Sequence, residues 1–228
     1  MAGVELVSVH VPKCAGTSLR LALQRTYGEA AVFADYADGV ANPASAMNID
    51  PDRFFARWAA ADWTRFPYRI VHGHFHPNKY RTLPARMRAT FLRDPLTRLI
   101  SHYHFWRRDG GQGQNPVRDY VYEQDLSLED FAHLPSIRSF YTGLFFRDVD
   151  MASFDFIGFY ETAAQDMARL EKALGVTLHL GRENTNTTPD YARAVEDLRC
   201  DPALTGRLRA LLSDDIAFYE TLRERAAG

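Results

Sequence analysis

The chain has 228 residues, 46% of them hydrophobic and 25% charged, which suits a soluble globular protein with one full core. A formal net charge of -2 argues against a general nucleic-acid binder, and no apolar stretch approaches the roughly 20 residues that span a bilayer. Two cysteines, Cys14 and Cys200, exclude a disulfide framework, so a soluble cytoplasmic protein with no signal peptide and no transmembrane segment is expected.

In chain order, the apolar run VELVSVH (4–10) reads as a strand. The loop PKCAGTS follows and feeds the helical pattern TSLRLALQRTYG, in which Leu19, Leu23 and Tyr27 recur on one face and Gly28 closes the end. Residues 35–50 read as loop, and YRIVHGH (68–74) and ATFLRD (89–94) as strands. Asp94 is placed to cap, and Pro95 to open, a helix over PLTRLISHYHFWRR whose apolar stripe is Leu96, Leu99, Ile100 and Tyr103. DGGQGQNP (109–116) is a loop suited to a lid. FDFIGFYE (154–161) is a further strand and VTLHL (176–180) a weaker one. TAAQDMARLEKALG and the closing PALTGRLRALLSDDIAFYETLRER are helical patterns.

Strands alternating with helices, without internal repeats, predict a single α/β domain over residues 1–228, a parallel sheet flanked by helices. Ligands of such sheets sit at the carboxyl ends of the strands. Three strand ends carry chemistry: His10–Lys13, His72–His76 and Arg93–Asp94. From Arg65 to Arg108 ten basic residues face one acid, Asp94, and that asymmetry suggests either an anionic ligand or a solvated basic face.

The loop PKCAGTSL offers backbone N–H groups at a helix N-terminus, close approach at Ala15 and Gly16, hydroxyls on Thr17 and Ser18, and the charge of Lys13. Its lysine precedes the glycine, unlike the nucleotide-triphosphate loop, and no magnesium-binding acid follows on a later strand. A plain strand-to-helix turn is the bland alternative. Cys14 to Arg20 also fits the C-x5-R spacing of cysteine phosphatases, although Thr17 stands where a glycine is expected and Arg20 can serve as an exposed helix residue. His72, His74 and His76 alternate on one strand face, compatible with a metal, a single histidine base or structural histidines. Arg93 and, eight residues later, Ser101 are placed to grip a second phosphate, with Arg98 as an added contact; helix capping beside a solvated arginine is the alternative.

Taken together, HVPKCAGTSL, VHGH and FLRDPLTRLISHYHF resemble the sulfotransferases that use 3′-phosphoadenosine 5′-phosphosulfate (PAPS), in the carbohydrate branch that includes heparan sulfate 2-O-sulfotransferase and bacterial relatives. Weaker likeness runs through FDFIGFYETAAQDMARLEKALGV, ENTNTT and SDDIAFYETL, so it covers nearly the whole chain. The resemblance implies a P-loop nucleotide-kinase-like sulfotransferase core that moves the sulfuryl group of PAPS to a hydroxyl of a saccharide or other acceptor, leaves PAP, and requires no metal. It implies Lys13 at the bridging oxygen of the departing group, and Ala15, Gly16, Thr17 and Ser18 around the 5′ phosphate. Arg93 and Ser101 would bind the 3′-phosphate, His74 would be the general base with His72 assisting, and Asn186 would close over the nucleotide. Cys14 stands where relatives often carry threonine. The loops 35–50, 75–82 and 106–118, with Lys79, Arg81, Arg107 and Arg108, would suit an acidic sugar, and would look similar for a lipid-linked glycan, a peptide tyrosine or a small metabolite. A non-catalytic nucleotide-binding module would keep the same cradle.

Overall fold

A computed structural model describes residues 3–37, 39–110, 113, 115–179 and 189–227. Two compact units form: Met1–Val40, Ser45–Leu92 and Asp148–Asn184 make the first, and Ala41–Ala44, Arg93–Arg147 and Thr185–Gly228 the second.

The first unit holds a five-stranded sheet of β1 (Val4–Val9), β2 (Val32–Asp35), β3 (Ile70–Gly73), β4 (Ala85–Leu92) and β5 (Phe156–Phe159). Every pairing is parallel and the order is β2-β3-β1-β4-β5. Leu6, Val7, Ser8 and Val9 of β1 and Ala89, Thr90, Phe91 and Leu92 of β4 are all buried, so both faces of the central strands are covered, as parallel strands require. The expected fold class, a parallel α/β sheet flanked by helices, is therefore present. From β1 the chain runs to β2 on one side, and from β4 to β5 on the other. The carboxyl ends of the strands around β1 are thus the switch point at which such sheets bind ligands.

Helix α1 (Gly16–Tyr27) packs against β2, and its end is Gly28 at φ 85. The 35–50 segment is less of a loop than expected: Asp35 ends β2, and α2 (Ala46–Ile49) makes one turn before α3 (Pro51–Ala59). Helix α3 starts where the Asp50 side chain accepts the Arg53 N–H. The 3-10 turn Pro77–Tyr80 follows β3.

The second unit is helical: α4 (Pro95–Asp109), α5 (Pro116–Glu123), α6 (Leu128–His133), α7 (Pro135–Arg138) and a π-helical segment, Phe140–Phe145. Asp94 caps α4 as expected, its carboxylate accepting the Thr97 N–H at 2.9 Å. In the first unit, α8 (Ala163–Leu174) packs against β5 and ends at the left-handed Gly175. The weak strand proposed at 176–180 is not one over its described residues 176–179. Helices α9 (Pro189–Cys200), α10 (Pro202–Leu211) and α11 (Ser213–Ala227) complete the second unit.

The closing helical pattern thus breaks at Leu212 into two helices. Beyond the break, the wholly buried Asp215 accepts the Tyr141 and Thr142 N–H groups, each at 2.9 Å, and the Thr142 hydroxyl at 2.8 Å. A buried carboxylate is tolerated when its lone pairs are filled in this way. Among the described residues no helix is long and apolar enough to cross a membrane.

Candidate active site

Register places the chemistry of the first unit. Gly73 pairs with Val9 on one side and with Asp35 on the other, so His10, His74 and Tyr36 leave three adjacent strands at one level. Ser8 pairs with His72 one step earlier, and alternation puts His72 and His74 on the same face. The His10 and His74 ring centres lie 4.4 Å apart, those of His10 and His72 5.1 Å, and those of Tyr36 and His74 4.7 Å. His10 Nδ1 is 3.1 Å from the Tyr36 hydroxyl, and His72 Nδ1 is 3.0 Å from Ser8 Oγ. Gly73 between the histidines is required because a side chain there would overlap the Asp35 carbonyl at 1.7 Å.

Burial controls the charge of this cluster. It holds His72 down to about 3, with His74 and Arg20 adding to the effect and the Gly16 backbone opposing it, and it holds His74 down to about 4. His10 sits well below the usual histidine range, first through burial and then through His74, His72, Arg20 and Lys13. Burial likewise pushes the Tyr36 phenol up to about 12, with Arg20 partly opposing. All three imidazoles are therefore neutral near pH 7, the form in which a histidine accepts a proton. The His74 Nε2 atom is enclosed and has no hydrogen-bond partner among the described residues. A buried polar atom left in that condition costs free energy, and such atoms are uncommon in folded proteins.

The loop after His10 is strained. Lys13 (φ 71) and Ala15 (φ 65) are both left-handed, a conformation that costs a residue with a Cβ about 1–2 kcal/mol. Left-handed residues interleaved with ordinary ones form concave nests of N–H groups that suit anions. Ala15 offers no side-chain cap to α1, a condition shared by α2, α7 and α8, whereas Asp50, Asp94, Asn115, Ser127 and Asp201 cap α3, α4, α5, α6 and α10. With Thr17, Ser18 and Lys13 alongside, the donor set suits a phosphate-like anion.

Gly16 carries no side chain because the His10 ring fills that space, 1.8–2.2 Å from where a Cβ would stand. Gly16→Ala must displace a buried ring, so it is expected to cost about 1–3 kcal/mol. A urea midpoint that falls at constant slope would register this loss.

In the second unit Arg93 is 4% exposed. Its N–H donates to the Tyr141 hydroxyl at 3.0 Å, and that hydroxyl donates back to the Arg93 carbonyl at 2.7 Å. The guanidinium donates to Thr97 Oγ1 at 3.2 Å and to the Tyr191 hydroxyl. The phenol of Tyr191, on α9, carries no motif signal in the sequence. Ser101 is wholly buried on α4. So is Arg98, whose Cζ stacks 3.8 Å from the Phe140 ring centre and whose Nη1 lies 3.3 Å from His102 Nδ1.

Several expectations change. Arg20 is only partly exposed; it donates to Gln24 at 3.2 Å and acts electrostatically on His10, His72 and Tyr36. Lys79, expected to greet an anionic acceptor, is buried in an ion pair with Asp35 at 2.6 Å. Tyr80 donates to the same Asp35 oxygen at 2.7 Å, and the ammonium lies 4.4 Å from the Trp58 ring centre. Removing either partner of that pair would strand a buried charge, so its role is structural. Arg107 pairs with Asp125. His76 leaves the histidine row, its Nδ1 accepting the Asn78 N–H at 3.3 Å. Among the described residues no group of three or more His, Cys, Asp or Glu is arranged to hold a metal ion. Asn186 lies outside the described residues. The sequence missed His10 and Tyr36 as partners of His74. The signal for His10 was its place at a strand end beside Lys13, whereas Tyr36 follows a strand too short to stand out.

A profile described as "Sulfotransferase family" matches residues 4–133, more than half of the chain. Among solved structures, a sulfotransferase from Alicyclobacillus acidocaldarius is 16% identical with a TM-score of 0.38, over 93% of this chain and 97% of that one. A mouse sulfotransferase complexed with PAP is 15% identical with a TM-score of 0.37, over 84% of this chain and 63% of that one. A search of curated proteins finds no match to this chain.

Proposed function

The chain belongs to the sulfotransferase family, and on that premise we propose that it transfers the sulfuryl group of PAPS to an acceptor hydroxyl, that of a saccharide by its resemblance, as one domain over residues 1–228. When bound, PAPS supplies the sulfuryl group on a phosphate leaving group. Lys13, with the backbone and hydroxyls of Ala15, Gly16, Thr17 and Ser18, holds the 5′ end and meets the charge that grows on the leaving oxygen. Arg93 and Ser101 are assigned to the 3′-phosphate, for which the buried Arg93 guanidinium would exchange its Thr97 and Tyr191 contacts, and Asn186 is assigned to the nucleotide. His74 removes the proton of the acceptor hydroxyl at Nε2. His72, tied to Ser8, orients the acceptor beside it. This division of labour requires no metal, since the base and the leaving-group charge are both met by side chains and backbone.

The observation that carries the reading is the pair His72 Nε2 and His74 Nε2, both neutral, enclosed and without a hydrogen-bond partner among the described residues, on the sheet end that also begins α1; the resemblance assigns the base to His74. The phosphatase alternative needs an accessible thiolate. Cys14 is 1% exposed, and its Sγ faces the Pro12 carbonyl at 3.7 Å.

Sulfur-labelled PAPS offered with a panel of sugar, lipid-linked and phenolic hydroxyls tests the proposal. Transfer to at least one acceptor is expected, and Cys14→Ser should keep the rate within about twofold, since it changes one buried atom that the proposed proton transfer does not use. Phosphomonoester hydrolysis lost in Cys14→Ser would install the phosphatase reading. PAP binding without transfer to any acceptor would leave a binding module.

A further inference from the structure

His10 touches each part of the first unit's site. Its ring occupies the space that a side chain at Gly16 would need, so it underlies the first residue of α1. It stacks on His72 at 5.1 Å and tilts against His74 at 4.4 Å. What orients the ring is a single hydroxyl: Tyr36, leaving β2, meets Nδ1 at 3.1 Å while its own ring stands edge-on to His74 at 4.7 Å. An imidazole can flip by half a turn or change tautomer, and either move would alter the atoms presented to His74 and Gly16. One hydrogen bond at Nδ1 holds the ring against flipping, as the outer partners of ligand histidines do elsewhere, and the Arg20 charge acting on the phenol favours its O–H donating to Nδ1, which selects the tautomer protonated at Nε2.

We propose that Tyr36 is a positioning residue: its hydroxyl fixes the His10 ring, and His10 in turn holds His74 and the start of α1 in register. The proposal rests on the reading of His74 as the base. Lys13 and Arg20 from the loop and α1, His72 and His74 from β3 and its end, and Tyr36 from the end of β2 are the charged or titratable groups that face His10. An added proton on His10 would lie beside the positive charges of Lys13 and Arg20 and against His74. A fixed neutral His10 leaves room for His74 alone to take up a proton.

The test uses full-length protein with nitrogen-labelled histidines, with and without PAP, as wild type and as Tyr36→Phe. This substitution removes one oxygen and keeps the ring against His74. The wild-type spectrum should show ring-nitrogen shifts of a single His10 tautomer. Tyr36→Phe should average two tautomers and move the His74 titration midpoint by on the order of half a pH unit. PAP affinity should stay within about threefold, because no cradle donor is lost, whereas turnover should fall roughly tenfold through misplacement.

If Tyr36→Phe is poorly folded, His10→Gln, which keeps an amide beside His74 but cannot hold the tautomer, should move the His74 midpoint in the same way. Unchanged His10 shifts and His74 midpoint in Tyr36→Phe would overturn the proposal. So would a turnover loss that persists in full in a His74→Asn background, since residues acting through one another do not add. Near-normal turnover of His74→Asn alone would sink the base reading, yet the nitrogen spectra would still decide whether Tyr36 positions His10.

Discussion

His74→Asn should lower turnover by about 10²–10⁴-fold, the usual worth of a positioned base, while PAP binding stays near the wild-type value. Asparagine keeps a polar side chain there, reaching as far as the imidazole Nδ1 but not Nε2, and cannot take up a proton near neutral pH. Calorimetry with PAP separates the loss of the base from loss of the fold. The pH profile adds a sharper check. In the free protein burial holds His74 down to about 4, so the acid limb of kcat/KM should fall near that value. Anionic cofactor beside the imidazole favours its charged form, so the acid limb of kcat should lie higher. A base with its pKa near 4 in the free protein is a weak acceptor, and that upward shift brings it closer to the working pH. Turnover near normal in His74→Asn would remove His74 from the chemistry.

The second large effect is on stability in mild acid. His72 is held down to about 3 and His74 to about 4, both by burial, against roughly 6.5 in an unfolded chain. Between the folded and unfolded values the unfolded state binds more protons, so stability rises with pH in that window and falls as the solution is acidified. Above about pH 6.5 the contribution is fully present. By pH 5 His72 alone should have removed about 2 kcal/mol, a large share of the 5–15 kcal/mol that typically holds a domain together. Urea midpoints at pH 7 and pH 5 measure this, and His72→Gln, which cannot protonate, should reduce the difference, leaving the share of His74 and His10. Equal midpoints at both pH values in the wild type would mean that these histidines are not buried neutral. His10 adds to the same trend, although three imidazoles in contact cannot be summed as independent groups.

Much of the fold was legible because local chemistry specified it. β1 shows as a short apolar run, α1 as an apolar stripe ending at Gly28, and α4 as a helix opened by Asp94 and Pro95. β2 escaped notice because Val32–Asp35 is four residues long and sits at the sheet edge, with too few positions to show a period. The stripe on α4 was only part of its buried surface: Ser101 is inside as well, and so are Arg98, stacked on Phe140, and His102, beside the Arg98 guanidinium. Polarity in a sequence does not reveal that a partner is waiting for it. Lys79 makes the same point, since Asp35, its partner, lies in a separate stretch of chain.

Local spacing was enough for the reactive residue types and their geometry: a lysine before a glycine at a strand-to-helix loop, and two histidines two apart, His72 on β3 and His74 just past its end. Those features follow from spacing along a single segment, where the periods of strand and helix are known in advance. Which segments are neighbours depends on packing across the sheet. The order β2-β3-β1 and the shared register at Gly73 bring Tyr36, His74 and His10 side by side, and burial of that row keeps its imidazoles neutral. Strand order and desolvation arise from contacts between residues far apart in the chain, and no local pattern carries them.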